Sequence, residues 1–141
     1  MDNPDCIFCK IVRGEIPSTK VYEDDHVLAF LDIGPVVKGH VLVIPREHYD
    51  PLTATPAPVL HDIIEAIQRV ADGLMRGLKA DGVNIHQANG AAAGQIVPHV
   101  HFHVIPRFAD DGHHWNWAAR KYSDMDEMAH VAATIRDAIP R

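Results

Sequence analysis

The stretch His99-Val100-His101-Phe102-His103-Val104-Ile105 puts a histidine at every second position and an apolar residue between each pair. A strand turns successive side chains to opposite faces, so the imidazoles share one face while Val100, Phe102 and Val104 share the other. The β-branched content and the turn-forming residues ahead of it favour a strand, since a helix would scatter the rings. The chain must therefore build a sheet with one chemical face and one core face. A solvated histidine face is the plain alternative, and strict register against an apolar reverse side counts against it. A single strand cannot gather all of these rings round one metal ion, because the outer two are about 13 Å apart at about 3.3 Å per residue. A row of rings suits an extended phosphate-bearing substrate better.

At 141 residues the chain has the length of one domain, 1–141, with no repeats and no internal boundary. A formal net charge of −6 argues against a nucleic-acid partner, which needs a basic face, but leaves room for a small anion in a locally cationic pocket. No apolar run reaches the roughly 18 residues of a membrane span, and the acidic Asp2-Asn3-Pro4-Asp5 start lacks the order of a secretory signal. The expectation is a cytoplasmic protein that makes no membrane contact. The cysteines, Cys6 and Cys9, stand at Cys-x-x-Cys spacing, which in a reducing compartment favours metal or redox chemistry over a structural disulfide.

In chain order, Cys6–Val12 predicts a short helix closed by Gly14, and Val21–Glu23 with His26–Leu31 predicts a hairpin. His40–Pro45 is apolar after its first residue and reads as a central strand. Leu60, Ile63, Ile64, Ile67, Val70, Ala71, Leu74, Met75 and Leu78 recur at helical spacing, forming an apolar stripe closed by Gly82. Val83–Gln87 is a further strand, and the small-residue loop Asn89–Gln95 feeds the histidine strand. Residues 108–122, with His113, His114, Trp115 and Trp117, read as irregular: a partner surface or a loop folded over its own sheet. A terminal helix follows, with Ser123 as N-cap and Asp126 in its first turn. His26, His61, His86 and His130 read as ordinary surface residues.

Imidazole titrates near neutral pH, so one neutral ring can attack phosphorus while protonated neighbours neutralise phosphate oxygens. His40, at the start of a neighbouring strand, is the fourth ring for such a pocket.

From Cys6 to Arg107 the chain resembles the histidine triad (HIT) family, in its nucleoside phosphoramidase-like branch. The signature His-φ-His-φ-His-φ-φ is matched at every position, along with Ala29-Phe30-Leu31-Asp32, Gly39-His40-Val41-Leu42-Val43-Ile44-Pro45 and Gly94-Gln95. The resemblance implies an α+β fold: an antiparallel sheet of about five strands, one long helix packed on it, and short terminal helices, with the signature core at 6–107 and a C-terminal extension at 108–141. It also implies a homodimer. The implied activity is hydrolysis or transfer of an AMP-like nucleoside 5′-phosphate from a phosphoramidate or adenylated small molecule. In that reading His101 is the nucleophile, and His103 and His40 bind and polarise the phosphate. Gln95, Gly94 and Asn89 hold its oxygens, Asp32 receives the ribose hydroxyls, and Ile33, Phe8 and Phe30 line the base pocket. Plain core packing explains Phe8 and Phe30 equally well. Ile96 departs from relatives that carry a hydroxyl residue after the glutamine, which removes one polar contact.

Relatives that bear zinc suggest Cys6, Cys9, His48 and His99 as a structural site with every position filled by protein. No organic cofactor is implied. For the cysteine pair, a redox or inert role stays open. Three rival readings stay open as well: a dinucleoside polyphosphate hydrolase using the same site, a non-catalytic nucleotide-binding module, and a metal-dependent hydrolase that uses the His-x-His pairs as ligands.

Overall fold

The computed structural model describes residues 3–114 and 117–140, so Trp115 lies outside the described residues. The chain, expected as one domain without an internal boundary, divides into two compact units, Met1–Asp111 and Gly112–Arg141.

The first unit is a five-stranded antiparallel sheet of β1 (Lys20–Glu23), β2 (Val27–Leu31), β3 (Val41–Pro45), β4 (Gly82–Gln87) and β5 (Phe102–Arg107), in the order β1-β2-β3-β5-β4. Helix α1 (Ile7–Val12) and the long helix α2 (Ala57–Gly77) flank it. Apolar side chains of β2 and β3 are buried on both faces, which is why these strands read as unbroken apolar runs. On one face Val27, Ala29, Val41, Val43, Phe102 and Val104 meet Ile63, Ala66, Ile67, Val70 and Leu74 of α2. Each large aliphatic buried there contributes about 1.5–3 kcal/mol before conformational entropy is charged. On the other face Leu28, Phe30, Leu42 and Ile44 meet Cys6, Phe8, Cys9 and Ile11 of the α1 segment.

The structure corrects several local expectations. Helix α2 ends at Gly77 with Leu78 as its C-cap, and Lys79 takes the left-handed conformation (φ 59°) expected of a glycine. Gly82 instead opens β4. The apolar stripe is wider than the sheet that covers it, so Ile64, Met75 and Leu78 stay exposed at its margins. Regular pairing in the histidine stretch begins at Phe102 rather than His99. Before it, the His99 N–H donates to the Val97 carbonyl and the Val100 N–H to the Tyr49 carbonyl, so the backbone is spent on loop partners rather than on the sheet.

The second unit contains α3 (Met125–Ala138), none of whose residues is buried. Its N-cap is Asp124, whose carboxylate accepts the Glu127 N–H at 2.8 Å, one residue beyond the expected Ser123. Asp124 holds the extended backbone of an N-cap, so its carboxylate captures the free amide of the first turn, while the Ser123 N–H is taken by the Glu127 carboxylate at 2.8 Å.

Candidate active site and metal centre

The sheet face beneath α1 carries two groups of histidines, which meet along the His99–His103 stretch. In the first group His99, fully buried, points Nδ1 at Cys6 Sγ (3.4 Å) and Cys9 Sγ (3.6 Å), and His48 Nδ1 lies 3.4 Å from Cys9 Sγ. The other His99 nitrogen, Nε2, lies 3.0 Å from the Pro45 carbonyl, to which it can only donate. That bond puts the proton on Nε2 and leaves the Nδ1 lone pair facing the sulfurs. Ligand-to-ligand edges of about 3.3–3.8 Å are what a tetrahedral ion with bonds of 2.0–2.3 Å requires. The donor chemistry and separations of Cys6, Cys9, His48 and His99 therefore fit a metal site, with ligand atoms all within 4.8 Å of one another. Burial pushes the His99 imidazole down to about 4, so it stays a neutral donor.

The second group is a relay. Gly39, at φ 102°, lies so close to α2 and β5 that a Cβ would stand 2.6 Å from Leu78 Cδ1, and this glycine turns the chain into His40 at the edge of β3. The Val36 N–H donates to His40 Nδ1 at 3.2 Å, so the proton of the neutral ring sits on Nε2. His40 Nε2–H then donates to His103 Nδ1 at 2.9 Å, and Asp32 Oδ2 lies 3.8 Å away. His103 in turn keeps its proton on Nε2. Asp32, His40 and His103 also sit close enough for an ion. However, with its Nδ1 lone pair taken by an amide and its Nε2 protonated, neutral His40 has no lone pair to give a metal. This disfavours a metal ion held jointly by Asp32, His40 and His103.

His101 lies between the groups. Its Nδ1–H donates to the His99 carbonyl at 2.7 Å, which leaves Nε2 with the lone pair. Burial lowers the proton affinity of His101 and His40, and burial together with the neighbouring rings holds His103 down to about 4. The expected protonated neighbours are therefore corrected for the ligand-free site: removal from water outweighs the attraction of Asp32 for the charged form of His40.

A cleft of about 310 Å³ opens in front of His101 and His103, lined by Phe8, Phe30, Asp32, Ile33, Gly94 and Ile96 among others. Phe8 stands edge-on to Phe30 (5.8 Å between ring centroids) and to His101 (5.0 Å), so both phenylalanines are core and cleft floor at once. Ile33 is fully exposed at the rim. A larger cavity of about 540 Å³ is bordered by α2, β1, β2 and β3 and touches none of these histidines.

Two expected phosphate ligands are engaged elsewhere. Gln95 accepts the Gly90 N–H (2.7 Å) and donates to Asp50 Oδ1 (2.7 Å) and the Val97 carbonyl (2.9 Å), stapling the loop that presents Gly94. Asn89 accepts from the Leu52 N–H at 2.8 Å and bonds Gln87, outside the lining of the cleft. Gly94 does line the cleft, in a left-handed conformation (φ 94°) that glycine adopts freely. His26, His61 and His130 are exposed as expected, but His86 is not an isolated surface residue: its ring centroid lies 5.6 Å from that of His103. Only the strand register, which pairs His86 with His103, could have revealed it. Asp50 was also missed, for it lies in an irregular segment and reaches the site through Gln95.

An antiparallel sheet with a histidine relay on one face and a Cys/His cluster beside it defines a class of small histidine-site domains. The chain belongs to the HIT domain family, whose model matches residues 13–110. It is 48% identical over 123 residues to an uncharacterized HIT-like protein of Methanocaldococcus jannaschii, covering 87% of this chain and 95% of that one. It is 44% identical over 103 residues to an adenylylsulfatase of Arabidopsis thaliana, covering 73% of this chain and 52% of the relative. To an adenosine 5′-monophosphoramidase of Candida albicans it is 36% identical over 96% of this chain and 92% of the other. A crystal structure from Streptococcus mutans superposes with a TM-score of 0.93 at 42% identity, covering 99% of this chain and 88% of that one. A zinc-bound histidine triad family protein from Mycobacterium smegmatis gives 0.74 at 38% identity, covering 96% and 98%.

Proposed function

We propose that this protein hydrolyses nucleoside 5′-phosphoryl compounds, releasing an AMP-like nucleotide through a nucleotidyl intermediate on His101. The observation that carries this reading is the bond from His101 Nδ1–H to the His99 carbonyl at 2.7 Å, which aims an unprotonated Nε2 from a buried, neutral ring at the head of the cleft. That nitrogen forms a bond to the α-phosphorus while the bond to the leaving group breaks, and the leaving group departs with that electron pair: an oxyanion leaves as it stands, and a phosphoramidate nitrogen takes a proton from solvent water and leaves as the neutral amine. Water then attacks the phosphorus, releases a proton and restores the neutral imidazole. His103 Nε2–H donates to a phosphate oxygen, and His40 fixes the tautomer and orientation of His103 from behind. Asp32 Oδ2 accepts from the ribose, and Phe8, Phe30 and Ile33 hold the base.

Cys6, Cys9, His48 and His99 would hold zinc as a structural ion, anchoring α1 and the start of the triad. A homodimer is supported by β4, an outer strand carrying exposed Ile85, and by exposed Ile64 on α2. No helix among the described residues is long and apolar enough to cross a membrane.

The test is AMP release from adenosine 5′-phosphoramidate at neutral pH by the wild type and by His101→Ala, with acid-labile nucleotide on the protein followed in parallel. Turnover that needs His101 supports the reading. AMP binding without turnover overturns it in favour of a nucleotide-binding module.

A further inference from the structure

Phe30, Leu42, His103 and His86 are successive cross-strand partners on β2, β3, β5 and β4, which places them in one row across a single sheet face. At about 4.8 Å per strand the row spans roughly 14 Å. One end is the aromatic floor of the cleft, and His86 stands at the other, on the outer strand beyond the reacting histidines. In the functional reading above, on which this inference rests, the nucleoside occupies the Phe30 end and phosphorus lies over His101 and His103. A group leaving in the direction away from the nucleoside passes over His103 toward His86.

The surroundings of His86 suit an anion. Neither β4 nor β5 contains an acidic residue, although the whole chain has a net charge of −6. Asn84, two residues along β4 on the same face, accepts the Arg107 guanidinium at 2.7 Å through Oδ1, which leaves its amide N–H groups as donors. Asp111, just beyond β5, is held by Arg107 at 2.8 Å and 3.1 Å. The His86 side chain is half-buried against His103, a position from which it can touch a bound group without being part of the core.

We propose that His86 forms a leaving-group subsite that selects substrates whose leaving group is an oxyanion, such as a sulfate or phosphate, over those that release a small neutral amine. The step itself is unchanged: the bond from phosphorus to the bridging oxygen breaks, and the oxyanion departs with the electron pair, needing no proton from the protein. The contact with His86 stabilises that departing charge.

The experiment compares kcat/KM for adenosine 5′-phosphosulfate and adenosine 5′-phosphoramidate in the wild type, His86→Ala and His86→Lys. The expected result is a phosphosulfate-to-phosphoramidate ratio about ten-fold lower in His86→Ala, the scale of one charge-assisted hydrogen bond, and largely retained in His86→Lys. Turnover with the same ratio in all three proteins overturns the subsite and leaves the functional reading standing, as does a loss shared equally by both substrates, which marks a merely structural role. A ratio as low in His86→Lys as in His86→Ala also overturns it. No AMP from either compound in the wild type overturns the functional reading and this inference together.

Discussion

The two histidine groups use the same side chain on the same sheet face, and the partner of the second ring nitrogen separates their chemistry. His99 spends its N–H on the Pro45 carbonyl and shows a lone pair to two sulfurs, so it is built as a ligand. His40 spends its lone pair on the Val36 amide and shows an N–H to His103, so it is built as a donor. One backbone carbonyl and one backbone amide thus suit one group to hold a metal and the other to order protons. An imidazole's task is set by what lies behind it.

The largest expected effect lies between the groups. His101→Ala should lower kcat by about 10⁴-fold or more while leaving the thermal unfolding transition within a few degrees of the wild type, since it removes a nucleophile and no ligand. Comparable turnover in the mutant would show that the lone pair at Nε2 is not what reacts.

Loss of one thiol should have the opposite signature. Cys9→Ala is expected to destabilise the fold by about 3 kcal/mol or more, measured by denaturant unfolding, and to abolish stoichiometric zinc in the purified protein. For protein that remains folded, kcat should fall far less than in His101→Ala. A chelator that stops turnover instantly and reversibly in folded protein would instead join the two groups into one catalytic centre.

His40→Phe keeps the ring volume and deletes the donor. A fall of about 10–100-fold in kcat/KM is expected, with an altered acid limb of the pH profile, because His103 would lose the bond that orders its tautomer. An unchanged profile would reduce His40 to packing.

The smallest effect concerns pH and stability. His103 titrates near its ordinary value in the unfolded chain but is held down to about 4 when folded. Between these values the unfolded state binds more protons, so stability present above about pH 6.5 is lost as pH falls toward 4. The slope from this ring is at most about 1.4 kcal/mol per pH unit, reduced in practice by its partial exposure. Unfolding curves for His103→Gln should show a flatter decline over that window.

The division of the histidine stretch into a chemical and a core face was legible because period-two alternation depends on backbone geometry alone. The same holds for β3, whose unbroken apolar run requires burial on both sides. Helix α2 was legible except at its margins: periodicity shows which residues share a side, not how wide the covering sheet is, so Ile64 reads as core and is exposed. The grouping of Cys6 and Cys9 with His48 and His99 could be reached only through family resemblance, since the pieces are separated by 39 residues or more. Tautomers, the bonds of Gln95 and the approach of His86 to His103 depend on loop carbonyls and strand register. No local pattern encodes them.

Helix α1 ties the Cys/His cluster to the cleft. Cys6 caps it, accepting the Cys9 N–H through sulfur at 3.4 Å, and Phe8, between the two cysteines, presses edge-on against both His99 and His101. A helix of six residues has little rigidity of its own. Whatever tightens or loosens its thiols therefore moves the wall of the cleft, because the residue that forms the wall and the two sulfurs ride on the same single turn and a half.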